Sequence, residues 1–80
     1  MLGQTVTQAY LLGIRDEREM LKSAIRHGER DIQRLSREML ANIELTRRQG
    51  FSGEMADYMR GGRDFWRNQL KKHLGQGKLS

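Results

Sequence analysis

The chain has 80 residues, of which 36% are hydrophobic and 31% are charged, and its formal net charge is +5. A chain of this length makes one small domain, and domains of this size without covalent staples commonly gain stability by oligomerising. The absence of cysteine excludes disulfides, thiolate metal sites and nucleophilic thiols. The sequence contains no run of about twenty apolar residues and no secretory signal pattern, so we expect a cytoplasmic protein without a membrane partner.

A long first helix is predicted over residues 7–49, after a flexible end at residues 1–5, with Thr5 or Thr7 as its cap. Apolar residues recur there at alternating steps of three and four, the spacing of one helix face. They are Leu11, Ile14, Leu21, Ile25, Ile32, Leu35, Met39 and Ile43. Because the apolar phase is the same on both sides of Gly28, we favour one continuous helix. In the alternative, Gly28 ends a first helix near His27 and another begins near Asp31, which gives three helices.

A shorter helix is predicted over residues 53–74, before a flexible end at residues 75–80. Gly50 suits the left-handed residue that follows a helix end, and Ser52 suits the cap of the next helix. The pair Gly61 and Gly62 lies in the middle of this second helix. We interpret the pair as a place of close packing against the first helix rather than as a hinge. We identify no internal repeat.

These elements predict an all-α fold, a single domain over residues 1–80 built as a helical hairpin with coiled-coil-like packing. At 1.5 Å per residue the long helix measures about 63 Å and the short one about 33 Å. The short helix can then cover only the part from about residue 32 to 45. An uncovered apolar stripe is rare in monomers, so we expect a homodimer whose N-terminal halves pack on one another, in an orientation that stays open. The predicted dimer interface is Leu11, Ile14, Leu21 and Ile25.

The polar residues do not predict catalysis. His27 and His73 lie on different helices without a carboxylate at metal-ligand spacing, and no serine or threonine has an evident base partner. We therefore expect a protein that is not an enzyme, with no catalytic residues, no metal site and no cofactor.

Basic residues recur along the first helix at steps of four and three. The members that we consider for nucleic-acid binding are Arg26, Arg30, Arg34 and Arg37. Such a row can follow a phosphate backbone with an affinity that falls steeply with salt. Acidic residues are interleaved with the arginines, so a solvated surface that pairs with itself explains the same pattern. Both interpretations stay open.

Phe65 and Trp66 are adjacent and lie about 100° apart on a helix, so both cannot point directly inward. One of them is expected at the rim of the core, beside Arg63 and Arg67. Tryptophan and arginine are enriched at binding hot spots, which makes Arg63, Trp66 and Arg67 the predicted contact with a partner protein. A packed core edge explains the same arrangement.

Two segments carry a resemblance to known proteins. Residues 9–15 (AYLLGIR) and 62–70 (GRDFWRNQL) are similar to the small early accessory proteins of lambdoid bacteriophages, such as those of the exo–xis region of lambda. The resemblance implies a cytosolic, non-enzymatic, mostly helical phage protein that alters host or phage development by binding other macromolecules. Our leading hypothesis is a dimeric helical hairpin that docks a host or phage regulatory protein. Nucleic-acid binding is the alternative, and a segment that is disordered until it binds is a third interpretation.

Overall fold

The computed structural model of this protein describes residues 6–79, with side chains as far as residue 74. Within that part the chain forms three α-helices and no strand: α1 (Gln8–Arg26), α2 (Ile32–Arg47) and α3 (Gly53–Leu79). The predicted all-α class is therefore confirmed. Among the described residues α1 and α2 each pack on α3 and not on each other. No helix of the described chain is long and apolar enough to cross a membrane.

The prediction of one continuous helix over residues 7–49 is wrong, because the chain turns at Gly28. Gly28 has a φ of +99°, a left-handed conformation that favours glycine. The amide of Glu29 donates to the Ala24 carbonyl at 2.9 Å, and the amide of Gly28 donates to the Ile25 carbonyl at 3.1 Å. These two bonds form a Schellman motif, which satisfies the last carbonyls of α1 and ends the helix. The three-helix alternative is the observed one.

Polar side chains cap both N-terminal helices. The Thr7 hydroxyl accepts a hydrogen bond from the Tyr10 amide at 3.1 Å, which confirms one of the two predicted caps, whereas Thr5 lies outside the described residues. Asp31 accepts from the Arg34 amide at 3.0 Å at the start of α2. An uncapped helix start leaves amides without partners, so these two residues fix where α1 and α2 begin.

The predicted break at Gly50 is confirmed, and the helix that follows it is longer than predicted. Gly50 has a φ of +83° after the end of α2, as expected for the residue that follows a helix terminus. The next helix, α3, starts at Gly53 as predicted but extends to Leu79 instead of ending at residue 74. Residues 75–79, which were predicted as part of a flexible end, therefore have a helical backbone. The other predicted flexible end, residues 1–5, lies outside the described part of the chain, and so does residue 80.

The turn at Gly28 also changes the argument for a dimer. Because α1 folds back, α3 covers part of α1 as well as part of α2. The predicted interface is divided: Ile14 and Leu21 are half-buried, whereas Leu11 and Ile25 remain 53% and 52% exposed. The premise that the whole stripe lacks cover within one chain is thus wrong.

The core lies along α3. Trp66 is fully buried and Phe65 is 9% exposed, and their rings meet edge to face with centroids 5.1 Å apart. On α2 the hydroxyl of Ser36 is fully buried and donates to the Ile32 carbonyl at 2.7 Å. Since α2 packs on α3 among the described residues, this small side chain lets the two helices approach closely. The core is small for a domain of this length, and many apolar side chains stay at the surface.

Candidate functional site

The helices α1 and α3 cross at glycines, with backbone against backbone. A Cβ atom at Gly13 would lie 2.1 Å from the carbonyl oxygen of Tyr58, and one at Gly61 would lie 2.1 Å from the carbonyl oxygen of Tyr10. Real Cβ atoms do not approach an oxygen so closely, so only glycine fits at either position. The interpretation of Gly61 as a close-packing residue is confirmed. This contact differs from coiled-coil packing, in which side chains of one helix fill holes in the other.

Two tyrosine–aspartate hydrogen bonds hold this crossing on its two sides. The Tyr10 hydroxyl on α1 donates to the Asp64 carboxylate on α3 at 2.7 Å. The Tyr58 hydroxyl on α3 donates to the Asp16 carboxylate on α1. Hydrogen bonds to a charged acceptor are stronger than those between neutral groups. The pairing is reciprocal, since each helix supplies one donor and one acceptor.

The reciprocal contacts come from a short internal repeat, so the prediction of no repeat is wrong. Residues 10–16 read YLLGIRD and residues 58–64 read YMRGGRD. Tyrosine, glycine, arginine and aspartate occupy the same positions in both segments. The tyrosines, glycines and aspartates make equivalent contacts across the crossing, and each arginine pairs with the aspartate that follows it. The crossing is therefore built as a local pseudo-two-fold arrangement of one motif.

The hydrogen bonds perturb the ionisation of the groups that make them. The bond to Asp16, with burial, raises the pKa of Tyr58 to about 12, because the protonated hydroxyl is the donor. The bond to Asp64 and burial likewise raise the pKa of Tyr10. Burial alone would raise the pKa of Asp64, but hydrogen bonds from Tyr10 and Arg63 and the nearby cationic charge lower it overall. At neutral pH both tyrosines are therefore neutral donors, and the lowered pKa of Asp64 keeps that acceptor ionised.

Trp66 belongs to the core and not to the surface, which corrects its prediction as a rim contact residue. It is fully buried, and its indole N–H donates to the Glu17 carboxylate at 2.8 Å. A buried indole N–H needs such a partner. Both Phe65 and Trp66 are covered because α3 packs on a helix on each side, which widens its buried face. The alternative of a packed core edge is the observed one.

The arginines flanking Trp66 are also mostly engaged within the chain. Arg63 is half-buried and its guanidinium lies 3.2 Å from Asp64. Arg60, one turn earlier, lies over the Tyr10 ring at 4.4 Å from its centroid and pairs with Asp57 at 3.5 Å. Arg67 is exposed. The structure thus leaves Arg67 at the surface, while the other two members of the predicted contact set help to hold the helix crossing.

The side of α1 that faces away from α3 carries a strip of exposed residues at steps of four and three. We call it the outer strip; it consists of Leu11, Arg15, Arg18, Lys22 and Ile25. Arg15 lies 3.8 Å from Asp16 and Lys22 lies 3.5 Å from Glu19, whereas no ion pair to Arg18 occurs in the described part of the chain. The strip therefore has two large apolar side chains at its ends and a cationic middle. Periodicity of the sequence could have identified it, once α3 was placed on the opposite side.

A groove of about 450 Å³ adjoins the N-terminal end of the outer strip. Its lining residues come from the first turns of α1 and the start of α3: Gln8, Ala9, Leu11, Leu12, Arg15 and Glu54. Leu12 is 40% exposed and Met55, which follows Glu54, is 50% exposed. Apolar surface therefore continues from the strip towards the N-terminus of α3.

The four arginines predicted as a nucleic-acid row do not lie along one helix. Arg26 is the last residue of α1, Arg30 lies in the turn, and Arg34 and Arg37 lie in the first turns of α2. All four are exposed. Arg34 pairs with Glu29 at 3.5 Å, while the other three have no ion pair among the described residues. The predicted row is therefore a cluster of basic residues around the turn at Gly28; we call these four arginines the basic corner. Of the four, only Arg34 pairs with an acidic residue, so the predicted self-paired surface is observed only in part.

The described residues contain no group of three or more histidine, aspartate or glutamate side chains placed to hold a metal ion. Comparison of the chain with protein families, with curated proteins and with solved structures finds no match. The surface and the helix crossing are thus the observations from which a function can be argued.

Proposed function

We propose that this chain is a non-enzymatic interaction protein that binds an acidic protein partner through the outer strip of α1. The observation that carries the proposal is the exposure of Leu11 and Ile25, more than half in each case, at the two ends of a cationic surface. Protein interfaces combine large apolar side chains with arginine in this way. The cationic middle of the strip selects for a partner with carboxylates between two apolar contacts.

The composition of the strip favours a protein over a nucleic acid as its partner. A phosphate backbone is bound by cations and polar groups, and it offers nothing that a leucine or isoleucine side chain would cover. The strip also suits a different chain better than a second copy of itself. Two copies of this strip, packed face to face, would bring Arg18 and Lys22 against like charges.

The resemblance to lambdoid phage accessory proteins supports a host or phage regulatory protein as this partner, in the bacterial cytoplasm. The proposed contact moves from the middle of α3, where Arg63, Trp66 and Arg67 lie, to α1, because Trp66 is buried and Arg63 is engaged with Asp64. Arg67 remains exposed beside the core and is not required by the proposal.

The test is retention of bacterial proteins on the immobilised chain, with variants that separate the strip from general stickiness. Ile25→Ser and Arg18→Glu should abolish retention of an acidic protein that the unaltered chain binds and that high salt elutes. Leu45→Ser is the matched control, because Leu45 on α2 is 59% exposed and lies outside the strip. Equal retention by all three variants would contradict the proposal, and so would loss with the control alone.

A second candidate function, nucleic-acid binding, is favoured by the basic corner. Arg26, Arg30 and Arg37 are exposed and carry no ion pair within the described part of the chain. Duplex DNA binding through them should weaken by orders of magnitude between about 50 and 200 mM salt. Arg30→Ala should reduce the salt slope by about one, whereas Arg48→Ala, an exposed arginine at the far end of α2, should leave the slope unchanged. Absence of a band shift at low salt excludes this candidate.

A further inference from the structure

The described hydrogen bonds and ion pairs of the link between α1 and α2 stay within the link and the adjoining turns of these two helices. In residues 27–31 the Schellman bonds at Gly28, the Asp31 cap and a bond from the Asp31 amide to Glu29 at 3.0 Å are all local. No hydrogen bond or ion pair in the described part joins this link to α3. A Cβ at Gly28 would meet no described atom within 4 Å. Apart from the packing of α1 and α2 on α3, the closed turn is therefore favoured by the backbone preference of one glycine and by two short caps.

In the described part of the chain, the side-chain hydrogen bonds that join α1 to another helix run to α3. They are Thr7 to Asp57 at 3.1 Å, Tyr10 to Asp64, Tyr58 to Asp16 and Trp66 to Glu17. The close backbone contacts of Gly13 and Gly61 also join these two helices. Within the described residues α1 does not pack on α2. The α3 of a second chain could consequently accept the same α1 without loss of any of these contacts.

The sequence permits the link itself to become helical. Leu21, Ile25, Ile32 and Leu35 keep one apolar phase across the turn, and the chain contains no proline. A helix that ran through residues 27–31 would join α1 and α2 into one element of about 60 Å. In that long helix α1 would project away from the α3 of its own chain. Its glycine crossing could then form only with the α3 of another chain.

We propose that a second copy of this chain is a partner of the α3 face, in a domain-swapped dimer that opens at Gly28. In each chain the turn straightens, and α1 packs on the α3 of the other chain through the same tyrosine, glycine and aspartate contacts. Exchange of an identical element is a low-cost route to a dimer because it replaces each contact by an equal one. Ile25, exposed beside the turn in the closed chain, then shares a helix face with Ile32. This proposal goes beyond the proposed function, since it involves no acidic partner and, of the outer strip, only Ile25.

The first experiment changes the backbone preference of residue 28 from left-handed to helical and measures the mass of the protein in solution by sedimentation. Alanine is favoured over glycine in a helix by about fivefold and disfavoured at a left-handed position by about tenfold. Two chains open in each dimer, so Gly28→Ala should tighten dimerisation on the order of a thousandfold. Gly28→Asn is the matched control, because asparagine tolerates the left-handed conformation and should leave the mass unchanged.

The second experiment shows which chains contribute to a crossing, and it does not depend on how well the Gly28→Ala chain folds. The protein has no cysteine of its own, so chains that carry Thr7→Cys can be mixed with chains that carry Asp57→Cys. After joint unfolding, refolding at high concentration and mild oxidation, the swapped dimer should yield a disulfide between the two kinds of chain. Chains with Gln8→Cys, an exposed neighbouring position, replace Thr7→Cys as the control and should yield much less.

Each outcome decides the proposal. A mixed disulfide well above the control, together with dimers of the Gly28→Ala chain, supports the swap. A Gly28→Ala chain that stays folded and monomeric overturns it. Dimers without the mixed disulfide also overturn it, because they show association through another surface. Binding of an acidic partner is measured separately, so a failure here leaves the proposed function to its own test.

Discussion

Gly61→Ala should destabilise this protein far more than the same change at the neighbouring Gly62. Both glycines lie in the middle of α3 and both are buried. An added Cβ at Gly61 would lie 2.1 Å from the Tyr10 carbonyl oxygen, in the backbone of α1. At Gly62 the nearest atom would be the Glu17 Cγ at 3.1 Å, in a flexible side chain. The Tyr10 backbone can move away only if the whole helix moves. The Glu17 side chain can shift by a few tenths of an ångström through a small rotation about its own bonds.

The magnitude follows from that displacement. Ordinary contact with a Cβ begins at about 3.4 Å, so α1 and α3 must separate by about 1.3 Å at Gly61. A shift of that size breaks the 2.7 Å bond from Tyr10 to Asp64 and the reciprocal bond from Tyr58. Hydrogen bonds to charged groups contribute about 1.5–3 kcal/mol each, and the gain in helix propensity returns about 1 kcal/mol. We therefore expect Gly61→Ala to lower the free energy of unfolding by about 2–5 kcal/mol.

That loss is a large fraction of the total. A chain of this length has a free energy of unfolding of about 4–12 kcal/mol. For Gly62→Ala the same helix gain is opposed only by the adjustment of Glu17, so we expect a change within about 1 kcal/mol. Urea unfolding followed by Trp66 fluorescence measures both values, because the only tryptophan is fully buried in the folded state. Equal stability of the two variants would refute the backbone crossing.

Further predictions concern the polar contacts around the crossing. Tyr58→Phe removes the donor to Asp16 and should lower the free energy of unfolding by about 1–3 kcal/mol in the same urea assay, with unchanged stability as the contrary result. Tyrosinate absorbance should show that both tyrosines of the folded chain, Tyr10 and Tyr58, ionise above pH 10.0, with Tyr58 near 12. The pKa of Tyr58 is higher in the folded chain than in the unfolded chain. Its stabilisation of the fold is therefore complete below pH 10.0 and is lost as the pH rises towards about 12. If both tyrosines ionised at their ordinary pKa, the absorbance titration would contradict the two hydrogen bonds. Trp66→Phe removes the only tryptophan, so its unfolding in urea is followed by circular dichroism; it should cost about 1–3 kcal/mol, because it leaves Glu17 without its donor. In the same assay Glu17→Gln should lose less, because an amide oxygen still accepts.

Local features of this fold could be predicted because they depend on few residues. The Thr7 cap, the left-handed Gly50 and the close packing at Gly61 each follow from one backbone preference. The turn at Gly28 could not be decided in the same way. Leu21 and Ile32 are both half-buried and lie eleven residues apart, about three helical turns, so their phase suits a continuous helix. It equally suits two helices that turn the same kind of apolar face to one central helix, because both faces then point inward.

The prediction that Phe65 or Trp66 lies at the rim of the core was wrong for a related physical reason. Adjacent residues on a helix lie about 100° apart, and a helix with a single neighbour buries one face, which leaves Phe65 or Trp66 at the rim. In this fold α3 packs on α1 at one side and on α2 at another, so its buried face is wide enough for both rings. The number of neighbours depends on the turn at Gly28. One glycine therefore determines both the burial of Trp66 and the exposure of the outer strip: with the turn closed, α3 lies against one side of α1 and leaves Leu11 and Ile25 on the other.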